Sequence, residues 1–204
     1  MQSTLVIATH NSHKTEEIRA ILGEHFAEIV DLRSYPDIPP ADETGTTFEE
    51  NATIKALEAC RHLADGVTVL SDDSGLEVDA LDGAPGVYSA RFSGEGATDE
   101  SNRVKLLDEL EAAGTRGKAR SARFRCVMVL ARGGEKLAVF DGAVEGVITN
   151  QEKGAGGFGY DPIFIPAGHC QTFGELSPEI KNRESHRARA LQMAIDYFAG
   201  ASGS

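Results

Sequence analysis

"TLVIATHNSHKTEEIRAILG", residues 4–23, decides the fold. Its first part, Thr4 to His10, is mostly aliphatic and β-branched, as in a buried strand. From Asn11 or Ser12 onward the period changes. Ile18, Ile21 and Leu22 recur at helical spacing, and Gly23 supplies a C-terminal stop. A buried strand that feeds straight into a helix opens an α/β domain.

The same signals recur along the chain. "EIVDL" (28–32) predicts a second strand, and "YPDIPPADETG" (35–45) a loop. "TTFEENATIKALEACRHLA" (46–64) predicts a helix opened by a Thr47–Glu50 capping box, with Phe48, Ala52, Ala56, Ala59 and Leu63 inward. "GVTVL" (66–70) is a strand that runs into Asp72 and Asp73. "APGVYSARFSG" (84–94) reads as a turn plus extended chain. Residues 98–114 form a helix with Val104, Leu107 and Leu110 inward. "ARFRCVMVLA" (122–131) and "KLAVFDGAVEGVIT" (136–149) form an antiparallel pair joined through Gly133-Gly134. Residues 177–200 read as one helix, with Ser177 as cap, Pro178 first, and Ala188, Leu191, Ile195 and Phe198 on one face. Together these give an α/β fold with a mixed central sheet flanked by helices. A single domain over 1–199 and a loose tail over 200–204 are expected.

Composition excludes some classes. The formal net charge is −12, which disfavours polymeric nucleic acid as a partner. No window reaches the ~18 apolar residues of a membrane span. "MQSTLVIATH" lacks a cationic start and a signal-length apolar run, so a soluble, cytoplasmic protein is expected. Cys60, Cys126 and Cys170 suit neither a disulfide framework nor a CxxC metal site.

Four stretches could carry chemistry. In "THNSHKTEE" (9–17), the first turn of a helix offers free N–H groups to an anion. Lys14 there opposes the helix dipole, which makes sense if an anion docks; Glu16 and Glu17 suit the dipole. A solvated lysine is the plainer account. In "SDDSG" (71–75), adjacent side chains of an extended chain face opposite ways, so one aspartate enters a site. Its neighbour caps a turn or holds backbone N–H groups, with Ser74-Gly75 as the bend. Asp72 or Asp73 with an acid from "DETG" suits Mg²⁺; an Asx turn accounts for the pair equally well. In "KGAGGFGYDPIF" (153–164), Gly154, Gly156 and Gly159 spell G-x-G-x-x-G, but no helix follows, so a dinucleotide site is rejected. Phe158 and Tyr160 either flank a flat base or join the core. "KNRESHRARA" (181–190) is the densest basic cluster, through Lys181, Arg183, His186, Arg187 and Arg189. No P-loop, zincin or α/β-hydrolase motif is present.

Five segments in order, "IATHNSHKTEEI", "ETGTTFEENATIKA", "SDDSGLEVDALDGAPGVYSARFSG", "GGFGYDPIF" and "SHRARAL", make the chain resemble the inosine triphosphate pyrophosphatase (Ham1-like) family. The resemblance implies an elongated mixed sheet of ITPase/Maf-like type with a ligand cleft between two lobes, and a homodimer. It implies Mg²⁺-dependent cleavage of ITP, dITP and XTP between the α- and β-phosphates, which cleanses the nucleotide pool. Thr9, His10, Asn11, Ser12, His13 and Lys14 would form the phosphate loop, although many relatives have Gly in place of His10. Glu43 and Asp73 would hold the metal, and Asp73 would also accept the proton. Lys55 and Ser74 would contact substrate. Phe158, Gly159, Tyr160 and Asp161 would line the nucleoside site, and Lys181, His186 and Arg187 would complete it. Two other readings stand beside this one: a Maf-like enzyme preferring pyrimidine or modified nucleotides, and a nucleotide-binding module without turnover.

Overall fold

The computed structural model describes residues 2–201. The opening alternation is realised as β1 (Gln2–Ile7), α1 (Ser12–Leu22) and β2 (Phe26–Asp31). β1 pairs in parallel with β2 on one edge and with β3 (Thr68–Val78) on the other, in a register that sets Ile7 opposite Leu70. Parallel neighbours need crossovers, and α1 and α2 (Phe48–His62) supply them. After α3 (Asp99–Ala112) come β4 (Ser121–Arg132) and β5 (Glu135–Ile148). Their link, Gly133-Gly134, has φ of 57° and 82°, as a type I′ hairpin requires. β6 (Phe164–Pro166) pairs antiparallel with β5. The sheet order is β2-β1-β3-β4-β5-β6, a mixed sheet as expected.

The described residues divide into two compact units: 2–73 with Cys126–Gly142 and 187–201, and Ser74–Arg125 with Ala143–His186. In the first unit the two-residue period of the strands sorts side chains to two faces. Leu5, Ile7, Leu70 and Met128 pack with Ile18 and Leu22 of α1 and with Leu191, Ala194 and Phe198 of the last helix. Val6, Val69 and Val129 pack with Ala52, Ala56 and Ala59 of α2. Each large aliphatic side chain so buried contributes about 1.5–3 kcal/mol. In the second unit, Leu76, Leu106 and Leu110 meet an aromatic group, with Phe124 and Phe164 centroids 4.6 Å apart.

Several local expectations are corrected. β3 continues unbroken from Thr68 to Val78, so Ser74-Gly75 is no bend and the aspartates form no Asx turn. On α3, Asn102, Leu106 and Leu110 face inward, while Val104 is 50% exposed. Asn102 rotates that helix because its Oδ1 accepts from Ser93 N (2.7 Å) and its Nδ2 donates to Ala90 O (3.2 Å). Residues 86–91 form a 3-10 helix instead of extended chain. Its Ser89 hydroxyl donates to Gly86 O and accepts from Leu76 N. The helix expected over 177–200 is two, α4 (Pro178–Glu184) and α5 (His186–Ala201). Ser185 between them has ψ 165°, the extended conformation of a residue that precedes a helix. α5 carries Gly200 and Ala201, and the rest of the expected tail lies outside the described residues. Among the described residues no helix is long and apolar enough to cross a membrane.

Candidate active site

Just past the carboxyl end of β1, Ala8 N donates to Leu70 O of β3, so the start of α1 lies beside the aspartates of β3. Asn11 is the N-cap of α1; its Oδ1 accepts from His13 N (3.0 Å) and Lys14 N (3.3 Å), and Thr9 Oγ1 accepts from Asn11 N (3.1 Å). Two of the N–H groups expected to await an anion thus hold the cap. His10 and His13 are exposed; Thr9, Ser12 and Lys14 are half-buried. No acidic residue lies in the first turn, so Glu16 and Glu17 act one turn later than expected.

Lys14 does oppose the dipole, and the anion it meets is the protein's own. Its Nζ lies 2.5 Å from Asp72 Oδ1. Asp72 is fully buried, and its Oδ2 accepts from Arg187 Nε (2.7 Å) and from Cys126 Sγ (3.2 Å). Arg187, 1% exposed, also pairs with Glu17 at 2.5 Å. Burial pushes the Asp72 carboxyl up, but Arg187 and Lys14 together hold it well below the usual carboxylate range. The same burial, with Asp72 adjacent, pushes the Cys126 thiol well up, so it is a neutral donor. Arg187 is therefore a buried strut between Asp72 and Glu17.

Asp73 faces a different setting. Its Oδ1 accepts from Lys55 Nζ at 2.7 Å, and Glu43 Oε1 lies 3.6 Å from the same ammonium. Asp73 Oδ2 is buried and finds no hydrogen-bond partner among the described residues. Burial raises the Asp73 carboxyl above its ordinary value, outweighing Lys55, and Glu43 adds to the rise. Neither aspartate caps a turn: both are answered by cations. Among the described residues no cluster of three or more His, Cys, Asp or Glu is arranged as metal donors. Two carboxylates with water and phosphate oxygens suffice for Mg²⁺, however. The unpartnered Asp73 Oδ2, with Glu43 against the same lysine, suits that ion.

In the second unit, Phe158 to Asp161 form a loop and 3-10 turn. Asp161, 2% exposed, accepts from Phe158 N (2.9 Å) and from Lys181 Nζ (2.5 Å), and Lys181 Nζ sits 4.5 Å from the Phe158 ring centroid. Gly157 (φ +72°) gives Asp161 its room: a Cβ there would overlap the carboxylate. Tyr160 joins the core; burial pushes its phenol up, and it donates to Ser89 O at 2.8 Å. Gly159 N donates to Asp99 Oδ2 (2.7 Å), and Arg103 donates to Gly159 O (2.8 Å). His186, 5% exposed, stacks on Phe124 at 4.8 Å and 13°. Ser74 is half-buried on β3.

Sequence reasoning missed Glu17, Cys126, Phe124, Ser89, Asp99, Arg103 and Asn51 as participants. For Glu17 there was a signal, three residues after Lys14 on one helix flank. Asn51 also had one, since it stands three residues after Phe48 on the apolar face of α2. The others pair across the chain and leave no local pattern.

The fold is that of an α/β protein in which buried aspartates of β3, answered by lysines, lie beside the start of α1. The chain belongs to the Ham1 family, whose model matches residues 5–197. It is 49% identical over 194 residues to a dITP/XTP pyrophosphatase of Geobacter sulfurreducens, covering 95% of this chain and 96% of that one. It is 48% identical to a dITP/XTP pyrophosphatase of Halalkalibacterium halodurans, over 92% and 94% of the two chains. The solved Ham1 protein of Coxiella burnetii is 38% identical with a TM-score of 0.84 over 100% of both chains. That of Staphylococcus aureus is 38% identical with a TM-score of 0.83, over 97% of this chain and 99% of that one.

Proposed function

We propose that this chain is a nucleoside triphosphate pyrophosphatase that uses Mg²⁺ to hydrolyse ITP, dITP and XTP to the monophosphate and pyrophosphate. The observation that carries the reading is the pairing of Lys14 and Lys55 with the adjacent carboxylates of Asp72 and Asp73. The relatives named dITP/XTP pyrophosphatase support the same activity.

An acidic chain must offset a polyphosphate locally. Lys14 and Lys55, each partly exposed, can turn from their carboxylates toward phosphate oxygens, aided by the amino end of α1. Glu43 and Asp73 would hold the metal, and the bound ion would neutralise phosphate charge and favour attack by water at phosphorus. Asp73 would also accept the proton of the attacking water through an oxygen that finds no partner among the described residues. Arg187 and Asp72 fix Lys14 between substrates. Lys181, Phe158 and His186 would hold the nucleoside, choosing a 6-oxo purine through hydrogen bonds that an adenine amino group leaves unmade. A homodimer in the cytoplasm belongs to the same proposal; sedimentation velocity tests the dimer.

The deciding experiment is incubation with ITP and MgCl₂, with products separated by ion exchange. IMP and pyrophosphate are expected. IDP and inorganic phosphate, or bound ITP without turnover, would reject the reading. A panel with pyrimidine triphosphates tests the substrate class.

A further inference from the structure

Glu43 sits on an irregular stretch between β2 and α2, yet a metal donor must be held to within a fraction of an ångström. We propose that Asn51 is the positioning residue for Glu43: its side-chain amide ties the Glu43 loop to α2 and so sets this donor for a divalent cation. This role rests on Glu43 acting as proposed above.

The loop is tied down from α2 by two consecutive side chains. Glu50 Oε2 accepts from Thr46 N (2.7 Å), Thr46 Oγ1 (2.9 Å) and Thr47 N (3.2 Å), which fixes the helix start. Asn51 Oδ1 reaches further up the loop and accepts from Gly45 N at 2.8 Å, two residues from Glu43. The backbone lies directly on the amide: a Cβ at Gly45 would come within 2.7 Å of Asn51 Oδ1 and 2.9 Å of Asn51 N. Gly45 has no left-handed φ, so close approach explains this glycine.

Packing does not explain Asn51. It is 0% exposed on the apolar face of α2, and its Nδ2 finds no partner among the described residues. An apolar side chain would avoid that unmet donor. The oxygen is what the site uses. One helical turn on, Lys55 Nζ lies 3.6 Å from Glu43 Oε1. α2 thus holds the Glu43 loop at two points, the Gly45 backbone through Asn51 and the Glu43 carboxylate through Lys55.

The test titrates Mn²⁺ into the nucleotide-free protein, followed by electron paramagnetic resonance, for wild type, Asn51→Leu, Gly45→Ala and Glu43→Gln. Outer partners of metal ligands are worth about 10–100-fold in affinity. Asn51→Leu and Gly45→Ala should each weaken Mn²⁺ about tenfold, and Glu43→Gln at least as much. The double variant should be no weaker than the worse single one, because both remove one tether. Raised Mg²⁺ should restore ITP hydrolysis by Asn51→Leu. Gly45→Ala, on the loop, carries the test if Asn51→Leu does not fold. Mn²⁺ affinity within twofold of wild type in the folded tether variants, with Glu43→Gln weakened, overturns the role of Asn51 alone. Unchanged affinity in Glu43→Gln overturns the ligand assignment, and the role of Asn51 with it.

Discussion

Replacing Asp72 by Asn, and separately Asp73 by Asn, should give opposite results from adjacent positions. Asp72 has a side-chain exposure of 0%, and its partner Arg187 1%. One carboxylate there answers two cations, Lys14 at 2.5 Å and Arg187 at 2.7 Å. The isosteric amide removes the charge and turns a donor toward one of those donors. Breaking a buried pair of this kind costs about 3–5 kcal/mol, because the partner charge stays buried. For a chain of this size, each kcal/mol lowers Tm by about 2–4 °C, so Asp72→Asn should lose roughly 10 °C. Asp73 is the reverse case. Burial raises its carboxyl, its Oδ2 is unpartnered, and Lys55 keeps Glu43 nearby. Asp73→Asn should stay within about 1 kcal/mol of wild type, yet lose turnover of ITP. Urea unfolding followed by circular dichroism measures both, with product release from ITP as the second assay. If Asp72→Asn loses under about 1 kcal/mol, or Asp73→Asn loses as much as Asp72→Asn, the division of labour assigned here is wrong.

Leu106→Ala should cost about 2–5 kcal/mol, whereas Val104→Ala should change stability by less than about 0.5 kcal/mol; equal losses in denaturant midpoint would return α3 to the face the sequence suggests. Gly157→Ala places a Cβ on the Asp161 carboxylate at a φ of +72°, so a loss above about 1 kcal/mol and a raised KM for ITP are expected; wild-type kinetics would show that Asp161 need not sit there. Asp31, which accepts from Thr15 Oγ1 at 2.7 Å and from Arg33, is pushed up by burial but held below its ordinary value by those bonds. The folded form thus binds its proton less readily than the unfolded chain. Its stabilisation, about 2 kcal/mol, should be complete above pH ~4 and fade as pH falls further. The gap in urea midpoint between wild type and Asp31→Asn should therefore close on acidification; a gap that widens below pH ~4 would reverse the sign.

Local chemistry was legible where a pattern repeats within a few residues. The Thr47–Glu50 capping box forms both its bonds, at 3.1 and 3.2 Å, and Gly133-Gly134 makes its hairpin. The apolar face of α2 lies where its spacing put it, and the mixed sheet follows from strand–helix alternation giving way to a hairpin. What stayed illegible is the partner of each charge. Lys14 and Asp72 stand 58 positions apart, and Asp72 and Arg187 115 apart. No window of sequence holds both members, so the sequence leaves Lys14 between an anion site and a solvated lysine, and the aspartates between a Mg²⁺ site and an Asx turn.

The choice between the two aspartates stayed open in the sequence for one physical reason. A carboxylate's role depends on how much water it has lost and which cation has replaced that water, and both are set by tertiary packing. Alternation along β3 sends Asp72 and Asp73 to opposite faces, as expected. One face is closed by α1, Cys126 and α5, where Asp72 accepts from Lys14, Arg187 and Cys126. On the other, Lys55 donates to Asp73 Oδ1, and Asp73 Oδ2 finds no partner among the described residues. The carboxylate with the unmet oxygen is the one proposed above for the metal and the proton, whereas the carboxylate held by two cations is the one whose loss should cost stability.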